Sequence, residues 1–241
     1  MSDGSSSDGS SAGGVAVVIP ARNEADRIQA TVRAAARLDG VDLVVVVDDG
    51  STDGTGAVAR RAGAAVMRHA RNRGKSAAME TGAEAVRLLD QREHRDAPRH
   101  LLFLDADLAD TAAMAGPLME PVVAGNADMT IAVFAATVKL GGHGLVVGLS
   151  GAGIRRATGW QPAQPLNGQR CLTRAAFEAA RPLAPGWGAE TGLTIDLLRK
   201  GLRITEVEVE LAHRATGTGL RAQLHRVHQL ADVARALAAR R

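Results

Sequence analysis

Two aspartates separated by one residue, Asp105 and Asp107, directly follow an apolar stretch over residues 101–104. Two carboxylates on one tight turn can bring one oxygen to a divalent cation, and another to the same cation through water or to a ribose hydroxyl. Solvated turn aspartates are the alternative reading. The position of the pair, with Ala106 between them, at the end of a predicted strand favours a site for Mg²⁺ or Mn²⁺ on a diphosphate.

Polar residues also follow the first two apolar stretches of the chain. Asp48 and Asp49 could serve turn chemistry alone, as Asp and Ser commonly do. One aspartate held at a strand end could instead accept the imide N–H of uracil. Glu24 could bind a ribose hydroxyl, although a carboxylate in a first helical turn is also favoured by the helix dipole.

A basic loop over residues 71–76 opens a predicted helix and carries Arg73 and Lys75. Positive charge next to free backbone N–H groups predicts an anion site, with a solvated loop as the alternative. The loop is not a phosphate-binding Walker A loop, because it lacks the first glycine of that motif. His213 ends the last predicted strand and could complete a shell of carboxylates and imidazole. His69 is interpreted as a surface or packing residue.

Alternating apolar and amphipathic segments must position these side chains. Strands are predicted over residues 15–19, 42–47, 64–67, 100–104, 128–134, 166–172 and 202–211. Helices are predicted over residues 24–38, 53–62, 74–89, 111–124, 145–158, 173–181, 190–200 and 220–239. This alternation predicts an α/β fold with a mostly parallel sheet and helices on both faces. Ligands bind outside the carboxyl ends of such strands, so the polar clusters are expected on one rim. The last strand alternates apolar and acidic residues, which predicts an exposed edge.

Composition excludes several classes of protein. The chain has 241 residues and one cysteine, so an intramolecular disulfide is impossible. Aromatic residues make up 2% with no tyrosine, which argues against nucleic-acid binding. No apolar run is long enough for a membrane span, and no signal peptide is found, so we expect a cytoplasmic protein. Residues 1–14 are rich in Ser and Gly and are predicted to be disordered.

The carboxyl-terminal helix, residues 220–239, carries an apolar stripe bordered by arginines. Such a helix can pack on its own domain, form a homodimer contact or touch anionic lipid. Packing on its own domain or on a second subunit is the more common outcome.

The segments VVIPARNEADRI, VVVVDDGSTDGT, RNRGKSAAM and FLDADL, in this order and spacing, resemble family 2 glycosyltransferases of the GT-A (Rossmann-like) fold. In the second half, APGWGAETGLTIDLL and ELAHRATG are similar to the bacterial branch of glucosyl-3-phosphoglycerate synthases. The resemblance implies transfer of a sugar from a UDP-sugar to a hydroxyl acceptor with a divalent metal. It also implies one continuous domain, with a nucleotide-sugar-binding half over residues 15–135 and an acceptor-binding half over residues 136–241.

The resemblance implies roles for individual residues. The predicted contacts with the nucleotide-sugar donor are Pro20, Ala21, Asn23, Glu24, Asp48, Asp49, Arg73, Lys75, Asp105 and Ala106. Of these, either Asp48 or Asp49 is expected to bind uracil. The predicted metal ligands are Asp107 (the direct one), Asp105 and His213. Glu190 is the general base if the reaction inverts, and positions the acceptor if it retains. Apart from the resemblance, Arg170 could bind an anionic group of the acceptor, and Thr191 is a further acceptor candidate. Trp187, between two glycines, could form an apolar floor for a sugar or acceptor, with ordinary packing as the alternative.

Two segments depart from the branch that they resemble. Residues 143–147 lack the Arg and Thr of an Arg-Val-Thr segment, and residues 167–170 differ from its Gly-Glu-Tyr. The acceptor is therefore predicted not to be 3-phosphoglycerate. A small, soluble compound with a hydroxyl group is expected instead. A retaining synthase-like enzyme and a polyprenyl-phosphate glycosyltransferase are alternatives. A sugar nucleotidyltransferase is a weaker one, because it would carry a Gly-rich basic loop where this chain has Pro-Ala-Arg-Asn-Glu.

Overall fold

The structure, a computed structural model, describes residues 13–134, 144–211 and 220–240, with the side chains of the last segment described from residue 228. The predicted disorder of residues 1–12 and the predicted ligand His213 lie outside these ranges. Gly14, which we assigned to the tail, joins the fold, because its carbonyl accepts a hydrogen bond from the N–H of His100 at 2.9 Å.

Strands and helices alternate along the chain as predicted. The strands are β1 (Val15–Ala21), β2 (Val41–Asp48), β3 (Ala65–Arg68), β4 (His100–Phe103), β5 (Met129–Phe134), β6 (Arg170–Leu172) and β7 (Ile204–Val209). The α-helices are α1 (Ile28–Ala35), α2 (Thr55–Arg61), α3 (Lys75–Arg92), α4 (Glu120–Val123), α5 (Gly144–Thr158), α6 (Arg174–Ala180), α7 (Ala189–Arg199) and α8 (Leu220–Ala238). Two 3₁₀ segments span Ala109–Leu118 and Gly186–Gly188.

The strands form one sheet with the order β3-β2-β1-β4-β6-β5-β7. Only β6 is antiparallel to its neighbours, so the predicted mostly parallel α/β sheet is confirmed among the described residues. The carboxyl ends of β1 to β4 consequently share one rim. Because β6 runs the other way, the loop that leads into it reaches the same rim.

Helices cover both faces of the sheet, as predicted. On one face Val17 and Ile19 of β1 pack with Ile28 and Val32 of α1. On the other face the core is formed by residues of β1, β2, β4, α3, α6 and α7. A Cβ at Gly82 of α3 would collide with Val18, so a glycine is required where this helix crosses the sheet.

Three predicted elements differ from the structure because of their polar or proline residues. The helix predicted over residues 111–124 is instead a 3₁₀ segment followed by the short α4, since Pro117 and Pro121 lack the N–H that a continuous helix needs. The first helix starts at Ile28 rather than at residue 24. The N–H groups of Asn23 and Glu24 bond instead to the hydroxyls of Ser51 and of Thr55 at the start of α2. The sixth strand is shortened to three residues.

The carboxyl-terminal strand and helix complete the domain. β7 lies at the edge of the sheet, as predicted. α8 packs on its own chain, with Leu237 against Gly153 of α5. Arg240 beyond its end makes a two-pronged ion pair with Asp196 of α7, at 2.7 and 2.5 Å. None of the described helices is both long and apolar enough to cross a bilayer.

Candidate active site

The loops after β1 and β2 are tied together by hydrogen bonds. The N–H of Asn23 donates to Oγ of Ser51 at 3.0 Å, and the N–H of Thr52 donates to Oδ1 of Asn23 at 2.9 Å. Asn23 takes a left-handed backbone conformation with φ of 56°, which Asn tolerates better than most residues. The N–H of Glu24 donates to Oγ1 of Thr55 at 2.9 Å. The two loops therefore form one rigid wall of the rim.

This wall contains the predicted nucleoside contacts. Pro20 and Ala21 are the last residues of β1 and pair with the end of β2. Asp48 is buried, and its Oδ1 accepts the N–H of Ser51 at 2.8 Å. This bond fits the turn chemistry expected of Asp48, and its contact with uracil stays a prediction.

Asp49 joins the wall to the basic loop. Its Oδ1 accepts hydrogen bonds from Nδ1 of His69 at 2.7 Å and from the N–H of Arg73 at 2.8 Å. Its Oδ2 accepts one from the N–H of Gly74 at 2.8 Å. The loop before α3 is thus held by a buried carboxylate. Sequence reasoning missed the part played by His69, although its place directly after β3 was a signal that could have found it.

A cationic side chain stands at the centre of the rim. Nζ of Lys75 lies 2.7 Å from Oδ1 of Asp105 and 3.4 Å from Oε1 of Glu190. Burial by itself lowers the pKa of Lys75, but the two carboxylates outweigh it and raise that pKa above its usual value. A Cβ at Gly168 would collide with Nζ. The absence of a side chain at Gly168 leaves room for the lysine in this position.

Glu190 is the acidic residue of the second half that reaches this rim. It lies in the first turn of α7 and is 2% exposed. Within the described ranges its Oε2 has no hydrogen-bond partner, and its Oε1 has only the ion pair with Lys75 at 3.4 Å. Buried polar atoms in native proteins nearly always have partners, so an unsatisfied carboxylate here indicates a group that a ligand or water completes.

The turn that carries the paired aspartates is fixed through its backbone. Oγ1 of Thr31 donates to the carbonyl of Ala106 at 2.8 Å, and Nη1 of Arg27 donates to the carbonyl of Asp107 at 3.1 Å. The side chains of Asp105 and Asp107 are only partly buried. Their carboxylate oxygens are ligands that Mg²⁺ and Mn²⁺ prefer, so the donor set fits such an ion. No cluster of three potential ligands occurs in the described part of the chain.

Arg170 is turned into the protein. Its exposed fraction is 0%, and its guanidinium donates to the carbonyls of Asn167, Pro165 and Glu190 and to Oγ1 of Thr194, at 2.8 to 3.1 Å. Burial lowers its pKa to about 10, against the opposing effect of Glu190 and Glu206. This side chain fastens the loop before β6 to α7. Its contact with an acceptor stays a prediction.

Two other acceptor candidates also contact their own chain. Oγ1 of Thr191 lies 2.7 Å from Oγ of Ser150, which places α5 next to the first turn of α7. The N–H of Trp187 donates to Oδ2 of Asp232 at 3.3 Å, and its side chain is half-buried. The structure therefore brings Glu190 to Lys75 at the rim, whereas Thr191 is buried and bonds to Ser150.

Known proteins resemble this chain in both sequence and fold. The sequence profile of glycosyl transferase family 2 matches residues 16–144. The chain belongs to this family. It is 30% identical over 208 residues to the glycosyltransferase AglJ of Haloferax volcanii, which covers 85% of this chain and 65% of that protein. It is 29% identical over 198 residues to the glucosyl-3-phosphoglycerate synthase of Mycolicibacterium paratuberculosis, which covers 76% of this chain and 59% of that protein. The chain thus spans less than two thirds of each relative's length.

A crystal structure of the glucosyl-3-phosphoglycerate synthase of Mycobacterium tuberculosis has the same fold. It contains Mn²⁺, UDP and phosphoglyceric acid, and it aligns with a TM-score of 0.74 at 26% identity over 94% of this chain and 78% of that one. The family 2 resemblance and the GT-A fold that it implies are therefore confirmed.

Proposed function

We propose that this chain is a metal-dependent glycosyltransferase that moves a sugar from a UDP-sugar to a hydroxyl acceptor. The observation that carries the proposal is the cluster of Lys75, Asp105 and the buried Glu190 on one rim of the sheet. The cluster contains charged residues from both halves of the chain. It lies beside the loop before α3, whose N–H groups bond to Asp49. Family membership and the UDP bound by a similar protein support this reading.

Asp107 and Asp105 are the residues to which we assign the metal, with Asp107 as the direct ligand and His213 as the predicted third. A divalent cation bound there supplies positive charge to the diphosphate that leaves in the reaction. The backbone contacts of Ala106 and Asp107 hold the turn in place before substrate arrives. Such prior organisation is what makes electrostatic stabilisation effective.

The remaining donor contacts follow from the wall and the basic loop. We assign the nucleoside to the wall formed by Pro20, Ala21, Asn23 and Glu24, and the imide N–H of uracil to Asp49. Lys75 and the guanidinium of Arg73 add positive charge on the side of the diphosphate. Departure of the diphosphate is favoured where this charge is fixed in a partly dehydrated site.

Glu190 is the group that we assign to the acceptor. In an inverting reaction its carboxylate takes the proton of the attacking hydroxyl. In a retaining reaction it holds that hydroxyl in place. Its Oε1 lies 3.4 Å from Nζ of Lys75 and its Oε2 has no partner among the described residues, which leaves the carboxylate available for either role.

We propose an acceptor other than 3-phosphoglycerate. Residues 145–147 are Leu-Val-Val, whose side chains cannot donate a hydrogen bond to a phosphate. A polyprenyl phosphate is the second candidate, because Leu145 at the start of α5 is 86% exposed. The contact between Ser150 and Thr191 places this helix beside the turn of Glu190. A cytoplasmic location, a homodimer and membrane contact stay predictions.

Release of UDP from a panel of UDP-sugars tests the proposal, measured with and without Mn²⁺. We expect slow, Mn²⁺-dependent hydrolysis that Asp107→Ala abolishes. Asp110→Ala, which removes an exposed carboxylate three residues along the chain, should leave it unchanged. In parallel, UDP should raise the Tm more than GDP or dTDP, since a ligand that binds only the native state stabilises it. No Tm shift with any nucleotide, together with no UDP release, would refute the proposal.

A further inference from the structure

Asp49 and His69 form the centre of a buried network that the motif does not reveal. His69 directly follows β3 and is 7% exposed. Its Nδ1 lies 2.7 Å from Oδ1 of Asp49, and its Nε2 lies 2.9 Å from Oγ1 of Thr81 in α3. The imidazole thus bridges the ends of two strands and a helix.

The tautomer of His69 follows from its partners. An ionised carboxylate only accepts hydrogen bonds, so Nδ1 must carry the proton that points to Asp49. When the ring is neutral, Nε2 is an acceptor and the hydroxyl of Thr81 donates to it. Both ring nitrogens are then satisfied, and the ring cannot rotate without leaving buried polar atoms unpaired.

In this arrangement the carboxylate of Asp49 accepts almost all the hydrogen bonds that it can. A carboxylate offers about four lone-pair sites. Oδ1 uses its two sites on His69 and on the N–H of Arg73, while Oδ2 uses one on the N–H of Gly74. The site that is left belongs to Oδ2, and its direction is set by the bonds to the other oxygen.

We propose that His69 is a positioning residue for nucleotide recognition. By holding Oδ1 of Asp49, it directs the remaining lone pair of Oδ2 toward the imide N–H of a uracil base. The same carboxylate also accepts the N–H groups of Arg73 and Gly74, and these contacts do not involve the imidazole of His69. This inference rests on the proposed function, because it assigns a recognition task to the same site.

The chemistry of the base gives the proposal a specific consequence. N3 of uracil carries a hydrogen, whereas N3 of cytosine is an acceptor that a carboxylate repels. A site built around one hydrogen bond discriminates strongly against an analogue that lacks it. Loosening Asp49 should therefore reduce the preference for UDP over CDP, an effect that a merely structural histidine would not produce.

Calorimetric binding of UDP and CDP to three variants tests this inference. His69→Phe removes both ring contacts and is expected to raise the Kd for UDP about ten- to a hundredfold, the usual effect of losing a hydrogen bond to a charged group. The Kd for CDP should change less than about threefold, since CDP does not use that bond. His69→Asn retains a donor close to the position of Nδ1 and should restore most of the preference. His69→Gln places its donor near Nε2 and should not.

Kinetics of UDP-sugar hydrolysis provide the second readout. We expect His69→Phe to raise KM and to leave kcat within about twofold, because His69 touches no reacting atom. His228→Phe on the exposed face of α8 is the matched control and should change neither. If circular dichroism shows that His69→Phe does not fold, Thr81→Val is measured instead. It should show a smaller loss of the preference for UDP over CDP.

The possible results separate this inference from the proposed function. Wild-type protein that binds no UDP contradicts the proposed function. Wild-type protein that prefers UDP, with an unchanged preference in His69→Phe, overturns only the role of His69. Equal rescue by Asn and Gln would also overturn it, because the donor at Nδ1 is then not what matters.

Discussion

The rim at the ends of β2 and β4 and the packing between β6 and α7 use charged and hydroxyl residues in different ways. At the ends of β2 and β4, Asp49 and Asp105 face loops or the lysine at the rim. Between β6 and α7, Arg170 and Thr191 are fully buried and bond to their own chain. We therefore expect ligand contact from the charged residues at the rim and a structural role for those buried between β6 and α7. Glu190 differs from Arg170 and Thr191, because it lies in the second half of the chain and still reaches the rim. Substituting it is therefore the strongest test of this comparison.

Glu190→Gln should give the largest effect. The amide keeps the size of the side chain but cannot accept a proton, so we expect UDP-sugar hydrolysis to fall about a hundredfold or more. The affinity for UDP should stay unchanged in calorimetry. Glu178→Gln on α6 removes an exposed carboxylate and serves as the control. If Glu190→Gln hydrolysed UDP-sugars at the wild-type rate, Glu190 would have a structural role, as Arg170 and Thr191 do.

Arg170→Met should mainly affect folding. It removes four hydrogen bonds and leaves buried carbonyls without donors, which is expected to lower the free energy of unfolding by about 3 kcal/mol. Urea denaturation measures this loss, and Arg156→Met at an exposed position should change it by less than about 0.5 kcal/mol. Full stability combined with weaker use of an acceptor would instead assign Arg170 to binding.

Gly168→Ala should damage the rim without touching a charged group. The added methyl would meet Nζ of Lys75 and displace it from Asp105, so we expect hydrolysis to fall about tenfold, equivalent to about 1.4 kcal/mol. Gly148→Ala, where a Cβ meets open space, is the control. Unchanged hydrolysis in Gly168→Ala would mean that the position of Lys75 does not matter.

Thr191→Val should give the smallest effect. It removes the hydroxyl that bonds to Ser150 and is expected to cost about 1 kcal/mol in the free energy of unfolding, with turnover unchanged. Thr205→Val at an exposed position of β7 is the comparison. If turnover fell more than about tenfold in Thr191→Val while stability held, Thr191 would belong to the acceptor site.

The alternation of strands and helices and the convergence of the polar strand ends could be predicted from the sequence. Continuous apolar strands that alternate with helices leave few topologies, and a parallel sheet places its carboxyl ends together. The bridge from His69 to Thr81 and the burial of Arg170 against α7 could not be predicted. Both depend on how elements distant in the chain pack, and no local pattern encodes that packing. The proline break after residue 116 was visible in the sequence, but its consequence for the predicted helix was missed.

Mn²⁺-dependent binding of UDP is the most direct test of the central claim, that carboxylates at the ends of separate strands hold a cation on a diphosphate. Calorimetry compares wild-type protein with Asp107→Asn, each with and without Mn²⁺. We predict that Mn²⁺ tightens UDP binding at least about tenfold in the wild type and has no effect in the variant. UDP binding that is equally tight in both proteins, or indifferent to Mn²⁺ in the wild type, would contradict the account.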